Sequence, residues 1–215
     1  MIFRSDEMKK LGFRLTGTRV RGFLIFALLA CAMLLVSASR AQETVVNLDP
    51  AQTKIEFTVD STLHTVHGTF KLRSGTIRFD PSTGKAGGSI VVDATSGDSD
   101  SKGRDKKMHQ EILESSKFPD VTFTPNRVQG TVARAGNSNV QVFGVFRLHG
   151  QDHDLTLNVS VTPGSGGRMQ ATTDFGVPFI DWGLKDPSTF ILHVNKMVNV
   201  HISAIVPQFA ATAGH

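Results

Sequence analysis

The 215-residue chain holds one cysteine, one tryptophan and no tyrosine. A lone cysteine forms no internal disulfide and cannot supply a zinc site of ordinary ligand count. Apart from that tryptophan, the aromatic content is fifteen phenylalanines, which have no polar tip to place at a wet rim. Catalytic signatures are missing as well. There is no G-x-S-x-G elbow, no H-E-x-x-H, and no glycine-rich phosphate loop of either common type.

Excess positive charge is missing from most of the chain. The net charge is +4, but residues 1–41 carry seven of the 23 Lys and Arg and only Asp6 and Glu7 of the 19 acids. The remainder has sixteen basic against seventeen acidic residues. Phosphate recognition needs a basic surface on the folded part, so a nucleic-acid-binding role loses its support.

Those first 41 residues have the layout of a secretory signal. A basic stretch, KKLGFRLTGTRVR, precedes the apolar run Phe23–Val36, and Ser39-Arg40-Ala41 offers small residues for cleavage before Gln42. The run is shorter than the roughly 20 residues a membrane span needs, so a cleaved leader is favoured over an anchor. A start at Met8 gives a more typical opening than Met1. Cys31, within Leu28-Leu29-Ala30-Cys31, imitates a lipidation site, but the apolar run continues past it. The expectation is a leader at 1–41, a domain at 43–207, a frayed tail at 208–215, and a periplasmic or secreted product with no membrane span.

Within 43–207 the dominant pattern has period two. Ile55, Phe57 and Val59 alternate with polar residues, as do Phe70 and Leu72, Ile77 and Phe79, Val121 and Phe123, Leu155 to Val161, and Val198 to Ile202. Such runs read as half-buried strands. Turn chemistry separates them at Asp80–Gly84, Ala135–Asn139, His149–Asp152 and Pro163–Gly167, and the Ser74-Gly75 pair divides Leu72 from Ile77. The spacing predicts an all-β sandwich or up-and-down barrel. One stretch departs from it. Lys102–Ser116, with Met108 and Ile112 four apart, predicts a short amphipathic helix plugging or covering one end, capped from Asp98–Ser101.

An eight-stranded barrel has room for a packed interior or for one small ligand. Its inward candidates are Phe57, Phe70, Leu72, Ile77, Phe79, Phe123, Phe146, Leu157, Val159, Phe175, Val200 and Ile202, with Trp182 lining or sealing the mouth. Alternation by itself does not separate a solid core from an apolar tunnel. His64 and His67, or His149 and His153, could approach one another, but three or four converging ligands are needed for a metal. Arg104, at the helix start, reads either as a head-group contact at the mouth or as half of an Arg–carboxylate pair tying the helix to the barrel rim.

Six segments follow in order along the chain: Leu48-Asp49-Pro50 with Thr53–Phe57, Val66-His67-Gly68-Thr69-Phe70, Arg104-Asp105, Lys117-Phe118-Pro119 with Val121–Phe123, Leu148-His149-Gly150, and Val198–Ile202. In this order and spacing they resemble the YceI-like family. Lys107 and Met108 stand where the family often has His-Leu, Pro125 where it has Ser, and Trp182 where Phe is commoner. The resemblance implies an eight-stranded antiparallel lipocalin-like barrel, with a polyisoprenoid or other long-chain lipid in its interior and Arg104 and Asp105 near its mouth. It implies no enzyme activity and no cofactor. A homodimer is left open. The competing expectations are a solid-core stress-response or interaction protein, and a histidine-based metal-binding enzyme.

Overall fold

Each of these alternating runs becomes a strand, or part of one, that turns its apolar side toward one enclosed volume. The computed structural model describes residues 43–133, 135–207 and 209. Its strands are β1 (Thr44–Leu48), β2 (Thr53–Asp60), β3 (Thr65–Phe79), β4 (Ala86–Asp98), β5 (Asp120–Gln129), β6 (Ser138–Leu148), β7 (Gln151–Pro163), β8 (Arg168–Val177) and β9 (Val198–Pro207). From β2 to β9 each strand pairs antiparallel with the next, and β9 returns to β2. The fold is an eight-stranded antiparallel up-and-down barrel, closed by the β2–β9 ladder. Short β1 lies beside the far half of β3, from Thr44 opposite Phe79 to Leu48 opposite Gly75. The leader 1–41 with Cys31, and the tail at 208 and 210–215, lie outside the described residues.

Ser74-Gly75, which divides two alternating runs, lies inside a single strand. The apolar positions of β3 change parity there, from Phe70 and Leu72 to Ile77 and Phe79, while the strand runs unbroken for 15 residues. A register shift against β4 between Leu72 and Ser74 supplies the extra residue. A β-bulge thus keeps both halves facing inward, where the alternation suggested two strands. Another shift follows Pro125 in β5. Proline has no N–H for the ladder, so a bulge accommodates it within a strand.

The helix is also shorter than expected. A regular helix α1 covers only Lys102–Lys107, and Met108–Ile112 widens into a π turn in which Leu113 N–H donates to the Met108 carbonyl at 2.8 Å. The predicted cap is not made: Ser101 gives no side-chain bond to the helix. Asp105 turns back instead and accepts from the Ser99 N–H at 3.0 Å and from the Ser99 hydroxyl. The widened turn directs Met108, Ile112 and Leu113 into the barrel.

The two ends of the barrel differ. One is packed solid by Val46, Phe79, Val132, Val140, Val161, Met169, Ala204 and Val206. Phe209, the one described residue of the tail, lies edge-on against Phe79 at 6.1 Å. Above this lies a middle group of Phe123, Val142 and Leu157. The opposite end is roofed by 102–113 and by the 178–197 connection.

Candidate functional site

The roofed end holds a cavity of about 530 Å³. Its walls come from Ile55, Phe57 and Val59 of β2, Val66 and Phe70 of β3, and Val198, Val200 and Ile202 of β9. Val92, Val121, Phe146, Leu148, Phe175 and Val177 add to them, and Phe179 and Leu184 of the 178–197 connection close over the top. Phe146 and Phe175 also pack on the middle group, so they form the floor. Space for the rings is made by glycine. A Cβ on Gly68 would lie 2.3 Å from the Phe57 ring, and one on Gly97 would lie 2.7 Å from Phe70 and from Met108. Phe57 and Phe70 then pack against one another at 5.3 Å.

The mouth is built from three segments. The β2–β3 turn contributes Ser61 and His64, α1 contributes Gly103, Arg104 and Lys107, and the long connection contributes Pro187, Leu192 and Val194. Arg104 donates through Nε to the Ser99 hydroxyl at 2.8 Å and through Nη2 to the Ser99 carbonyl. Arg104 and Asp105 therefore both bind the buried Ser99, next to the end of β4, so the helix is tied to the rim through that serine and not through an Arg–carboxylate pair. Lys107 donates to the Pro187 carbonyl at 3.2 Å, bridging the two parts of the roof. Lys185 reaches Glu111 at 2.8 Å and holds that carboxyl below its ordinary range.

Further bonds fasten the roof to the barrel. His109 spans the Gly97 carbonyl at 2.9 Å and the Ser115 hydroxyl at 3.1 Å. His149 meets Glu114 at 2.7 Å and packs on Phe118. His149 has φ 52° and Gly150 φ 78°, the pair of positive values that a tight two-residue hairpin requires.

Six of the inward candidates line the cavity: Phe57, Phe70, Phe146, Phe175, Val200 and Ile202. The others sit elsewhere. Ile77, Phe79 and Val159 belong to the packed end, and Phe123 and Leu157 to the middle group. Leu72 is buried outside the lining, and Asp105 is occupied by Ser99. Trp182 stacks on His153 at 4.1 Å and packs on Phe146 from behind, so it seals rather than lines. No β7 residue reaches the cavity.

The candidate histidine pairs diverge. His67 meets Thr58 while His64 faces the mouth, and His149 meets Glu114 while His153 lies under Trp182. Among the described residues no three metal-ligating side chains converge. Sequence reasoning missed Val92, Leu192 and Val194 altogether. The first sits in the continuous run Ile90-Val91-Val92, and the others in a connection without periodicity. Met108 and Ile112 could have been found, because their four-residue spacing marks the inner side of the roof.

The YceI-like domain family matches residues 47–206. A UPF0312 protein of Vibrio cholerae is 29% identical over 133 residues, covering 60% of this chain and 68% of its own. One from Shewanella denitrificans is 30% identical over 148 residues, covering 66% and 74%. Among solved structures, BcnA of Burkholderia cenocepacia aligns with TM-score 0.58 at 16% identity, covering 75% of this chain and 99% of its own. A polyisoprenoid-binding domain from Saccharophagus degradans, implicated in plant cell wall breakdown, aligns with TM-score 0.58 at 14% identity, covering 76% and 98%. At these identities the structural likeness speaks for the fold.

Proposed function

The chain belongs to the YceI-like family, and from that premise we propose that it is an exported binding protein, not an enzyme, which holds a polyisoprenoid or similar amphiphilic lipid for carriage, storage or sequestration. The observation that carries this reading is the cavity itself: a chamber of about 530 Å³ with apolar walls, a solid floor and cationic groups at its open end. The volume falls within the roughly 300–1,000 Å³ of small-molecule sites. The likeness to a polyisoprenoid-binding domain supports the same ligand class, and the leader-like residues 1–41 support export to the periplasm.

The chemistry is burial. Each methylene taken from water contributes about 0.8 kcal/mol, so a branched hydrocarbon tail binds without specific polar contacts. A polar or phosphorylated head group stays at the mouth, beside Arg104 and Lys107. Arg104 uses Nε and Nη2 on Ser99, which fixes the plane of its guanidinium for an anionic oxygen.

The test is native mass spectrometry of protein purified without added lipid, then solvent extraction. A discrete extra mass that extracts as an isoprenoid or other lipid is expected. Val200→Phe fills the chamber from its wall and should remove that mass while leaving the barrel folded. A folded Val200→Phe protein with unchanged bound lipid would place the ligand elsewhere.

A further inference from the structure

Two loops at the mouth expose side chains that folding does not ask for. Leu63, Phe190 and Ile191 are 69%, 99% and 78% exposed. Phe190 and Ile191 form the tip of a turn in which Thr189 N–H donates to the Leu192 carbonyl at 2.8 Å. Turn tips ordinarily carry Gly, Asn, Asp or Ser. The second loop, with Leu63, is joined to the first. Thr62 N–H donates to the His193 carbonyl at 2.9 Å, Asn195 N–H to the Asp60 carbonyl at 2.7 Å, and Ser61 bridges Val194. The residues next to these tips, His64, Leu192 and Val194, line the cavity. An apolar surface therefore runs from the outside of the protein into the chamber.

We propose that Leu63, Phe190 and Ile191 form a membrane-docking rim that enters the lipid–water boundary and lets a lipid tail pass between bilayer and cavity without crossing water. The proposal rests on the lipid-binding reading. A bilayer is the occupant that fits, for two reasons. A long-tailed lipid resides in membranes, so a cavity that takes one must open toward a membrane. Three side chains on two loop tips are also far fewer than the roughly 20–30 residues per partner of a stable protein interface. Charge adds little net attraction. Along 98–111, Lys102, Arg104, Lys106 and Lys107 are matched in number by Asp98, Asp100, Asp105 and Glu111. Docking should therefore depend weakly on salt.

The test compares whole wild-type protein, as purified from a bacterial host, with a variant carrying Leu63→Ser, Phe190→Ser and Ile191→Ser. All three positions are exposed, so the barrel should keep its circular dichroism and melting temperature. A soluble short-chain prenyl diphosphate reports on the cavity by calorimetry. Extraction of a fluorescent polyprenyl phosphate from phosphatidylcholine vesicles, and flotation with those vesicles, report on the rim. The variant is expected to bind the soluble probe like wild type. Its extraction should be at least about tenfold slower, the scale set by three apolar side chains losing their burial. Equal extraction by the two proteins overturns the rim. So does a steep fall of wild-type flotation with salt, or a wild-type dimer that the variant loses while extraction is unchanged. If wild type ignores the soluble probe but floats with vesicles only when the three residues are present, the cavity reading fails and the rim stands.

Discussion

Thr173 turns its side chain into the barrel between Val159 and Ile202, with 7% of the residue exposed. Its hydroxyl has no hydrogen-bond partner among the described residues. A buried hydroxyl without a partner costs free energy that a methyl group of similar shape does not. Thr173→Val is expected to raise stability by about 1 kcal/mol in urea unfolding; a loss of stability would show that the hydroxyl has a partner. Gly68 argues the opposite way. Its hydrogen is what allows the Phe57 ring to lie across β3, and the Asp98 carbonyl would lie 2.5 Å from an added Cβ. Gly68→Ala should cost about 1–3 kcal/mol, the scale of overpacking a close-packed site. Phe57 will shift into the cavity, and a crystal structure of the variant checks both. Gly68 was visible in the sequence as part of a family-like segment, but its role was not. Which ring lies over which glycine depends on strand register, and register is a property of pairs of strands.

At the scale of elements, alternation was the readable signal and its interruptions were misleading. The parity change in β3 divided one strand into two alternating runs, because a bulge and a strand boundary both break period two and only the β3–β4 ladder distinguishes them. β4 was harder to see, since Gly87, Gly88 and the run Ile90–Val92 leave no clean alternation. The roof was legible as one helix, yet half of it is a π turn. That widened turn is held from outside itself, by His109 on the Gly97 carbonyl and the Ser115 hydroxyl. Because one bond ties this segment to β4 and the other closes it on itself, His109→Ala should loosen the roof alone. Each lost bond is worth about 1 kcal/mol, so hydrogen exchange of amides in 102–116 should quicken by about fivefold or more, while β6 and β7 stay protected. Unchanged exchange in 102–116 would mean that apolar packing of Met108 and Ile112 holds the roof.

The whole molecule is asymmetric along the barrel, and neither its closure nor that asymmetry follows from any one strand. The sequence carried the strand class and the inward faces. It did not carry depth, which is why Phe79 and Phe123 were grouped with Phe57 and Phe70 although only the latter two reach the cavity. Charge is arranged at the same scale. Arg73 on β3 reaches Asp93 on β4 at 3.1 Å and also Asp120 on β5, so one guanidinium ties three consecutive strands together. Asp93 is held below its ordinary range, first by the Thr95 hydroxyl and backbone and then by Arg73. Asp80 is lowered by Ser82, Glu111 by Lys185, and Asp186 by Ser188. Each of these carboxyls binds its proton less readily in the folded chain than in the unfolded one. The stabilisation they give is complete above the unfolded carboxylate range near about pH 4, and it is lost as pH falls through the lowered folded values. These carboxyls are therefore expected to lower the urea midpoint as pH falls below about 4. Asp93→Asn keeps an acceptor for Thr95 but removes the charge facing Arg73. It should lower the midpoint at neutral pH and flatten the acid drop, because one of the groups whose protonation drives that drop is gone. A variant that loses midpoint at neutral pH but keeps the wild-type slope in acid would assign the acid sensitivity to the carboxyls outside the Arg73 tie.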